Sequence, residues 1–299
     1  MAGMSVAAEL AAAGTHAVAV LEQEAELGRH ATGRSAAALL ESYGSPEIRA
    51  LTRVSRRLLD AADAPTPLLT PRPLLWIADR AHAAEVEDLL TEQPDLRPLS
   101  TAEARARCPV LREDAVAAVA MEPDAHDIDV AAVLQWFAGR ARAAGVAVHR
   151  GSRLAGAERV GGRWRLHHGS GTLLADVVVV AAGAWADEVA ALLGARPCGL
   201  TPLRRTIGVA RSPRPVDPAW PLVATVDEGC YFRPEGPHLL VSPADETPSE
   251  PCDARPEEAD VALAIERVNR VTDLGLRSVV TSWAGLRTFA PDRNPVVGF

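Results

Sequence analysis

Apolar residues in this chain fall into two kinds of segment that alternate. Ser5 to Ala13 carries small apolar residues at helical spacing, Gly14 stops it, and Ala17–Leu21 follows as a buried strand ending at Glu22. The same order returns with an amphipathic helix from Asp129 to Ala144, closed by Gly145, and a strand over Val146–His149. Arg163–His168 alternates apolar and polar positions, Gly169-Ser170-Gly171 turns the chain, and Thr172–Ala175 returns. Val177–Val180 then reads as a fully buried strand running into Ala181-Ala182-Gly183. Together these stretches predict an α/β nucleotide fold with a β-meander attached. The rest differs: proline-rich 65–75 and Val110–Glu122 predict strands of a second unit, and Thr201–Gly285 holds short strands and turns with one helix near Glu257–Thr272. That pattern predicts an antiparallel sheet, so the fold class is α/β, or α+β in two domains, with a Rossmann-like unit interleaved with an antiparallel one.

The first residues sharpen the nucleotide reading. Met1-Ala2-Gly3-Met4-Ser5 matches the end of a G-x-G-x-x-G loop, with Gly3 as its last glycine and the helix after it. In such a loop the pyrophosphate rests on the helix N-terminus, and an acid about 20 residues on takes the ribose hydroxyls. Glu22 stands at that place. The strand that delivers the loop is not in the sequence, so the motif begins partway through. An ordinary helix and strand with a surface Glu22 fit these residues equally well, and the decision falls to the rest of the chain.

Composition narrows the partners. The 299 residues are 48% hydrophobic and 23% charged, enough for a sizeable core in one large or two interleaved domains. No run approaches the ~20 apolar residues of a membrane span, and no secretory leader pattern opens the chain, so the expected location is cytoplasmic with no membrane association. Cys108, Cys198, Cys230 and Cys252 are scattered without metal-ligand spacing, which predicts structural thiols and no metal. A net charge of -8 and the lack of any basic run argue against nucleic acid and for a small-molecule substrate. The chain has no lysine, a bias that a GC-rich genome accounts for; it nevertheless excludes Schiff-base and lysine-base chemistry within this chain.

Six stretches taken in order carry a family resemblance: Leu21-Glu22, Ala31-Thr32-Gly33-Arg34-Ser35-Ala36-Ala37, Thr70-Pro71-Arg72-Pro73, Asp127-Ile128-Asp129, Ala181-Ala182-Gly183-Ala184-Trp185 and Ser282-Trp283-Ala284-Gly285-Leu286-Arg287. Over nearly its whole length the chain resembles the D-amino-acid oxidase superfamily of FAD-dependent oxidoreductases, and most of all its D-arginine-type D-amino-acid dehydrogenases. The resemblance implies FAD as cofactor and a domain of residues 1–43, 128–200 and 286–299 that binds it. It assigns 44–127 and 201–285 to a substrate domain. The implied reaction is hydride removal from a carbon bearing an amine, with an amino-acid or amine substrate and a separate electron acceptor.

The resemblance also implies site residues. Ala2 and Gly3, Glu22 and Gln23, the loop Ala31, Thr32, Gly33, Arg34, Ser35, Ala36, Ala37 and Ala38, the backbone of Arg153, and Gly183 fall on FAD-binding positions. Gly33 and its small neighbours let backbone N–H groups approach an anionic ligand, and Thr32, Arg34 and Ser35 add donors. A plain helix N-terminus capped by Thr32 or Ser35 has a similar sequence, and an exposed strand arginine fits Arg153. Arg287 matches the arginine that grips the substrate carboxylate, a task suited to a bidentate guanidinium. Tyr231 and Tyr43, the two tyrosines of the chain, match two active-site tyrosines. Arg205 matches a further substrate-contacting arginine, with neighbouring Arg204 open as the alternative.

Departures from the pattern concern specificity and extent. Leu74 stands where the D-arginine enzymes carry a glutamate, Ala38 replaces a histidine and Leu40 a threonine. A cationic side chain beside these residues lacks a partner, so the expected substrate has a small or apolar side chain. The absence of lysine favours a dehydrogenase over an oxygen-using oxidase. A glycine- or sarcosine-type oxidase and a non-catalytic flavoprotein fragment share the FAD features; an NAD-dependent Rossmann enzyme explains Gly3 and Glu22 alone. Relatives continue past Asn294–Phe299 and begin before Met1, so the chain reads as truncated at both ends and as a weak binder of FAD by itself.

Overall fold

The computed structural model describes residues 1–14, 17–169 and 171–298; Thr15, His16, Ser170 of the predicted turn and Phe299 lie outside the described residues. Strand alternation organises the larger region. In Leu74–Ala78, Leu74, Trp76 and Ala78 point to one face of the sheet and Leu75 and Ile77 to the other, and the flanking strands keep this phase. The sheet has nine strands. Its order runs Val279–Phe289, Thr201–Ala210, His238–Ser242, Tyr231–Glu235, Leu222–Thr225, Leu74–Ala78, Ala118–Glu122 and Arg97–Leu99, with the short Thr247–Pro248 pairing Leu203 and Arg204 of the second strand. Its pairs are antiparallel, as expected, except that Leu222–Thr225 joins Leu74–Ala78 in parallel. On one face Leu75, Ile77, Met121, Phe232 and Val241 meet Ala264 and Val268 of the helix Glu258–Val271. On the other, Leu74, Trp76, Ala120 and Leu222 meet Val86 of the helix Ala83–Glu92, with Ala38, Leu40, Tyr43 and Tyr231 packed against them. That second face carries the candidate chemistry.

The smaller region is the nucleotide-type unit. Ala19–Leu21 and Ala147–His149 form a parallel pair, and the helices Ala2–Ala12 and Val130–Ala143 cover it through Met4, Ala7 and Ala8 against Val133, Phe137 and Ala141. Alanines at the crossing let the two helices approach closely. Asp129 caps the second helix by accepting from Ala132 N at 2.8 Å, and Gly145 leaves it at φ +80°. The predicted meander is present as Leu154–Val160, Arg163–His168 and Gly171–Ala175. A three-stranded sheet of Ala38–Leu39, His126–Ile128 and Leu69–Pro71 leads the 31–38 segment toward the large sheet.

Two strand expectations are corrected. Ala17–Leu21 is not a buried strand: Ala19–Leu21 spans three residues and is half-exposed, because it has one ladder neighbour and helices on one side. Val177–Val180 is outside every strand, with Val177 68% and Val179 55% exposed. An apolar run becomes a buried strand only where another strand takes its N–H and C=O groups, and among the described residues none does. Nor does the 31–38 segment start an α-helix: Thr32–Arg34 is a single 3₁₀ turn, and Ala37 has φ +57°.

Candidate active site

The residues read from the sequence as cofactor ligands gather at one end of the parallel pair. The helix Ala2–Ala12 has no acidic residue in its first turn and no side-chain cap, so its first N–H groups are open to an anion. The Met1 nitrogen donates to Thr32 Oγ1 at 3.0 Å, which joins the start of that helix to the 31–38 loop. Glu22 leaves the end of its strand and its Oε1 accepts from Glu24 N at 3.0 Å, with Gln23 on the same bend. Ser152 N donates to Glu22 O at 2.8 Å, so Arg153 begins beside Glu22, and its exposed side chain reaches Glu188. Gly183 opens a 3₁₀ turn at φ +55°, ahead of Trp185.

Two observations on this loop bear on a bound dinucleotide. A Cβ on Gly33 stands 2.6 Å from the Gly28 carbonyl oxygen, so the fold of the 28–33 turn demands glycine there. His30 presents Nε2 to Glu24 Oε1 at 2.9 Å and its ring lies 4.6 Å from that of Trp185, while its buried Nδ1 has no protein partner among the described residues. An open helix N-terminus, an acid at the strand end, a tight glycine loop and an orphaned polar atom beside it fit FAD.

Arg34 behaves differently from its expectation as a donor to the ligand. Its guanidinium turns toward the other region, where it binds Asp253 and donates to Ala254 O at 2.9 Å and Ala284 O at 3.0 Å. The Arg34 carbonyl accepts from Trp283 Nε1 at 3.2 Å. A Cβ on Gly285 lies 3.2 Å from Arg34 Cβ, so glycine keeps this approach close. Two motifs about 250 residues apart thus interlock: Trp283, Ala284 and Gly285 clamp the loop while Arg287, two residues on, leaves the same strand toward the substrate side. Ser35 serves its own turn, accepting from Ala37 N at 3.3 Å; Ala36 lies between the two, and Ala31 faces Gly285.

The substrate-side residues share the chemistry-bearing face. Arg205 lies opposite Gly285 and Leu203 opposite Arg287 across an antiparallel pair, which sets the two arginines diagonally on one face. Alternation separates Arg204 from Arg205: Arg204 points the other way, to Glu257 and to Asp260 at 3.0 Å, whereas Arg205 stands near Tyr231. Arg205 is 7% exposed, donates to Glu246 Oε1 at 2.9 Å and leaves its Nε unpaired. Arg293 closes on the same Glu246 with two bonds of 2.6 and 3.0 Å. Arg287 Nη1 donates to the Tyr43 hydroxyl at 3.3 Å, and that hydroxyl donates to Glu228 Oε2 at 3.2 Å. No carboxylate within salt-bridge distance neutralises Arg287 among the described residues. Burial pushes the Tyr231 phenol up, opposed by Ser242 and by the Arg205 and Arg287 charges, so it is a neutral hydroxyl at ordinary pH. Arg293 holds the Glu246 carboxyl below its usual range. Leu74 is fully buried in the apolar cluster against which Ala38, Leu40 and Tyr43 pack.

A dinucleotide-type unit joined to a large sheet that presents arginines and tyrosines defines a two-part flavoenzyme architecture. The family described as FAD dependent oxidoreductase (DAO) matches residues 1–299, and the chain belongs to it. Glycine oxidase from Geobacillus kaustophilus (strain HTA426) is 31% identical over 131 residues, 43% of this chain and 33% of that enzyme, so the matched stretch spans a third of that relative. The solved glycine oxidase from Geobacillus kaustophilus aligns at TM-score 0.84 and 23% identity over 99% of this chain and 82% of that one. L-proline dehydrogenase from P.horikoshii gives 0.84 at 17% identity, covering 99% and 81%. L-amino acid deaminase from Proteus vulgaris gives 0.79 at 16% identity, covering 99% and 83%. At these identities the solved structures bear on the fold alone. As a member of this family the chain uses FAD. No helix among the described residues is long and apolar enough to cross a membrane, and no group of His, Cys, Asp or Glu there could hold a metal.

Glu228, Glu246, Arg293, Asp253 and Trp283 were not singled out by sequence reasoning. Trp283 sat inside a quoted motif; the others carry no local spacing signal, since each meets its partner across 40 residues or more.

Proposed function

We propose that this protein oxidises the CH–NH bond of a small or apolar amino acid, in the manner of a D-amino-acid dehydrogenase, to an imino acid that water converts to the keto acid. The observation that carries this reading is Arg287: a guanidinium with no acidic partner among the described residues, braced by Tyr43 and pointing from the strand that clamps the cofactor loop. Bound at the 31–38 loop and the start of the helix Ala2–Ala12, FAD would supply the acceptor for the hydride that leaves the substrate Cα. Arg287 grips the carboxylate and fixes which face of Cα is presented. Tyr231, a neutral donor, adds a bond to the same carboxylate. Arg205 and Arg293 share the single carboxylate of Glu246, so together with Arg287 they leave the site net positive and attractive to the substrate carboxylate. The Tyr43 hydroxyl can pass a proton from the substrate ammonium at its Oη to Glu228 at the surface, leaving the amine lone pair free to drive hydride departure. The apolar cluster of Leu74, Leu40 and Ala38 favours a small or apolar side chain over a cation.

A glycine-type amine oxidase is the second reading, favoured by the glycine oxidase relative and by how completely Leu74 is covered. The absence of lysine speaks for an acceptor other than oxygen. The test is anaerobic mixing of the FAD-loaded protein with glycine, sarcosine and both enantiomers of alanine, leucine and arginine, following the flavin band. Bleaching by small or apolar D-amino acids supports the first reading, bleaching by glycine and sarcosine alone supports the second, and a flavin untouched by every amine rejects both. Leu74→Glu should then raise the rate with D-arginine relative to D-leucine, while lowering the thermal midpoint, because the new carboxylate lies directly opposite Glu122 in a buried pair.

A further inference from the structure

Glu122 is 4% exposed, yet no cation pairs with it among the described residues. Strand alternation puts it on the chemistry-bearing face together with Ala120, opposite Leu74. Its carboxylate accepts from Glu41 N at 2.6 Å, from Ser42 N at 3.3 Å and from the Ser42 hydroxyl. That hydroxyl also accepts from Trp76 Nε1 at 2.9 Å, and Gln93 Nε2 donates to Ser42 O at 2.8 Å. Buried polar groups from two strands and a helix therefore converge on the residue that precedes Tyr43. The Tyr43 ring lies nearly parallel to that of Trp76, at 6.5 Å and 10°, and its hydroxyl ends between Arg287 and Glu228.

Burying a carboxylate without a counter-cation is costly, and burial pushes the Glu122 pKa up. The return for that cost is specific. Three donors of one bend, Glu41 N, Ser42 N and Ser42 Oγ, need acceptors in a place water does not reach, and a carboxylate supplies two oxygens where a glutamine supplies one. The Tyr43 hydroxyl bonds to Arg287 and Glu228, while its backbone follows directly on the Glu41–Ser42 bend that Glu122 holds.

We propose that Glu122 is a positioning residue for Tyr43: by holding the Glu41–Ser42 bend against the large sheet, it sets where the Tyr43 hydroxyl meets Arg287 and the substrate. It touches neither substrate nor cofactor. The kinetic part of this inference rests on the amine-oxidation reading, whereas the geometric part does not.

The chain contains two tyrosines, so protein carrying ¹³Cζ-tyrosine gives two ring signals, assigned by Tyr231→Phe. Glu122→Gln in the FAD-loaded full chain should shift or broaden the Tyr43 signal and leave that of Tyr231 in place. With the best amino-acid substrate, the same variant should lower kcat/KM about tenfold, with kcat falling as well as KM rising because the displaced hydroxyl both binds substrate and takes its proton, and adding it to Tyr43→Phe should change kcat/KM by less than about twofold, since the two act through one group. Should Glu122→Gln not fold, Ser42→Ala, which removes the hydroxyl that donates to Glu122 and leaves the rings in place, gives the same comparison in milder form. A Tyr43 signal that does not move, or two signals that move together, overturns the proposal, as do fully multiplicative effects on kcat/KM. A shifted Tyr43 signal in a protein that no amine reduces leaves this inference standing and removes the functional reading instead.

Discussion

Arg205, Arg287, Tyr231 and the apolar cluster against Tyr43 sit on a nine-stranded sheet covered on both faces, whereas Ala2, Gly3 and Glu22 hang from two paired strands of three residues each. The difference shows in what holds each group. On the large sheet, side chains carry the proposed chemistry and their directions follow from register: Arg205 and Arg287 face one way because they lie two steps apart on an antiparallel pair. On the small ladder, backbone N–H groups and glycines carry it, and the one cationic side chain of the loop, Arg34, faces back into the large region. The cofactor side is therefore shaped partly by the substrate side, through Trp283, Gly285 and Asp253.

Arg287→Ala tests the large-sheet half of that contrast. It should lower kcat/KM for the amino acid by about 100- to 1000-fold, the effect of removing one partner of a charge pair, with FAD content unchanged. Arg287→Lys should recover little, because an ammonium cannot make the paired bonds of a guanidinium. Stopped-flow flavin reduction with and without excess FAD separates the two quantities; loss of FAD instead of turnover breaks the contrast.

Gly33→Ala tests the other half. Its new Cβ meets the Gly28 carbonyl at 2.6 Å, so backbone must shift, at a cost of about 1–3 kcal/mol. The expected result is an FAD dissociation constant ~10-fold or more higher by fluorescence titration, with KM for the amino acid unchanged once the protein is saturated. A raised KM at saturation would mean that the loop and the arginine face move as one body.

Legibility in the sequence followed the same division. The helix Val130–Ala143 and the strand Ala147–His149 were readable because their caps, spacing and closing glycine are local. Tyr43, Tyr231, Arg205 and Arg287 could be proposed from the family resemblance, and the structure brings them to one face. The Val177–Val180 strand was misread because an apolar run says nothing about who pairs with it. Arg34 was assigned to the ligand because a loop arginine beside glycine looks like an anion donor; its true partners, Asp253, Ala254 and Ala284, lie more than 200 residues away. Glu122 could not be found at all. A glutamate at the end of an apolar strand reads as surface until the bend of Glu41 and Ser42 folds over it.

The link between the two regions can be weakened more gently at Asp253, where the Arg34 and Arg29 guanidiniums pull the carboxyl down to about 2 from 3.8. A carboxyl depressed in the folded state stabilises it fully above the unfolded value, near pH 4, and loses that contribution as pH falls toward 2. The side chain is half-exposed, so solvent and salt screen it and the contribution is that of a surface pair. Asp253→Asn should therefore lower the thermal midpoint by only ~1–3 °C at pH 7. The gap between the two proteins should shrink as the pH is taken from 5 to 2, and also with added salt at pH 7. If it persists unchanged at pH 2, Asp253 holds the loop by shape and neutral hydrogen bonding, and the clamp reduces to Trp283, Ala284 and Gly285. If it closes as expected, the same variant should raise the FAD dissociation constant slightly at pH 7 and not at all at the acid end. That result would tie the charge on the large region to the order of the loop on the small one.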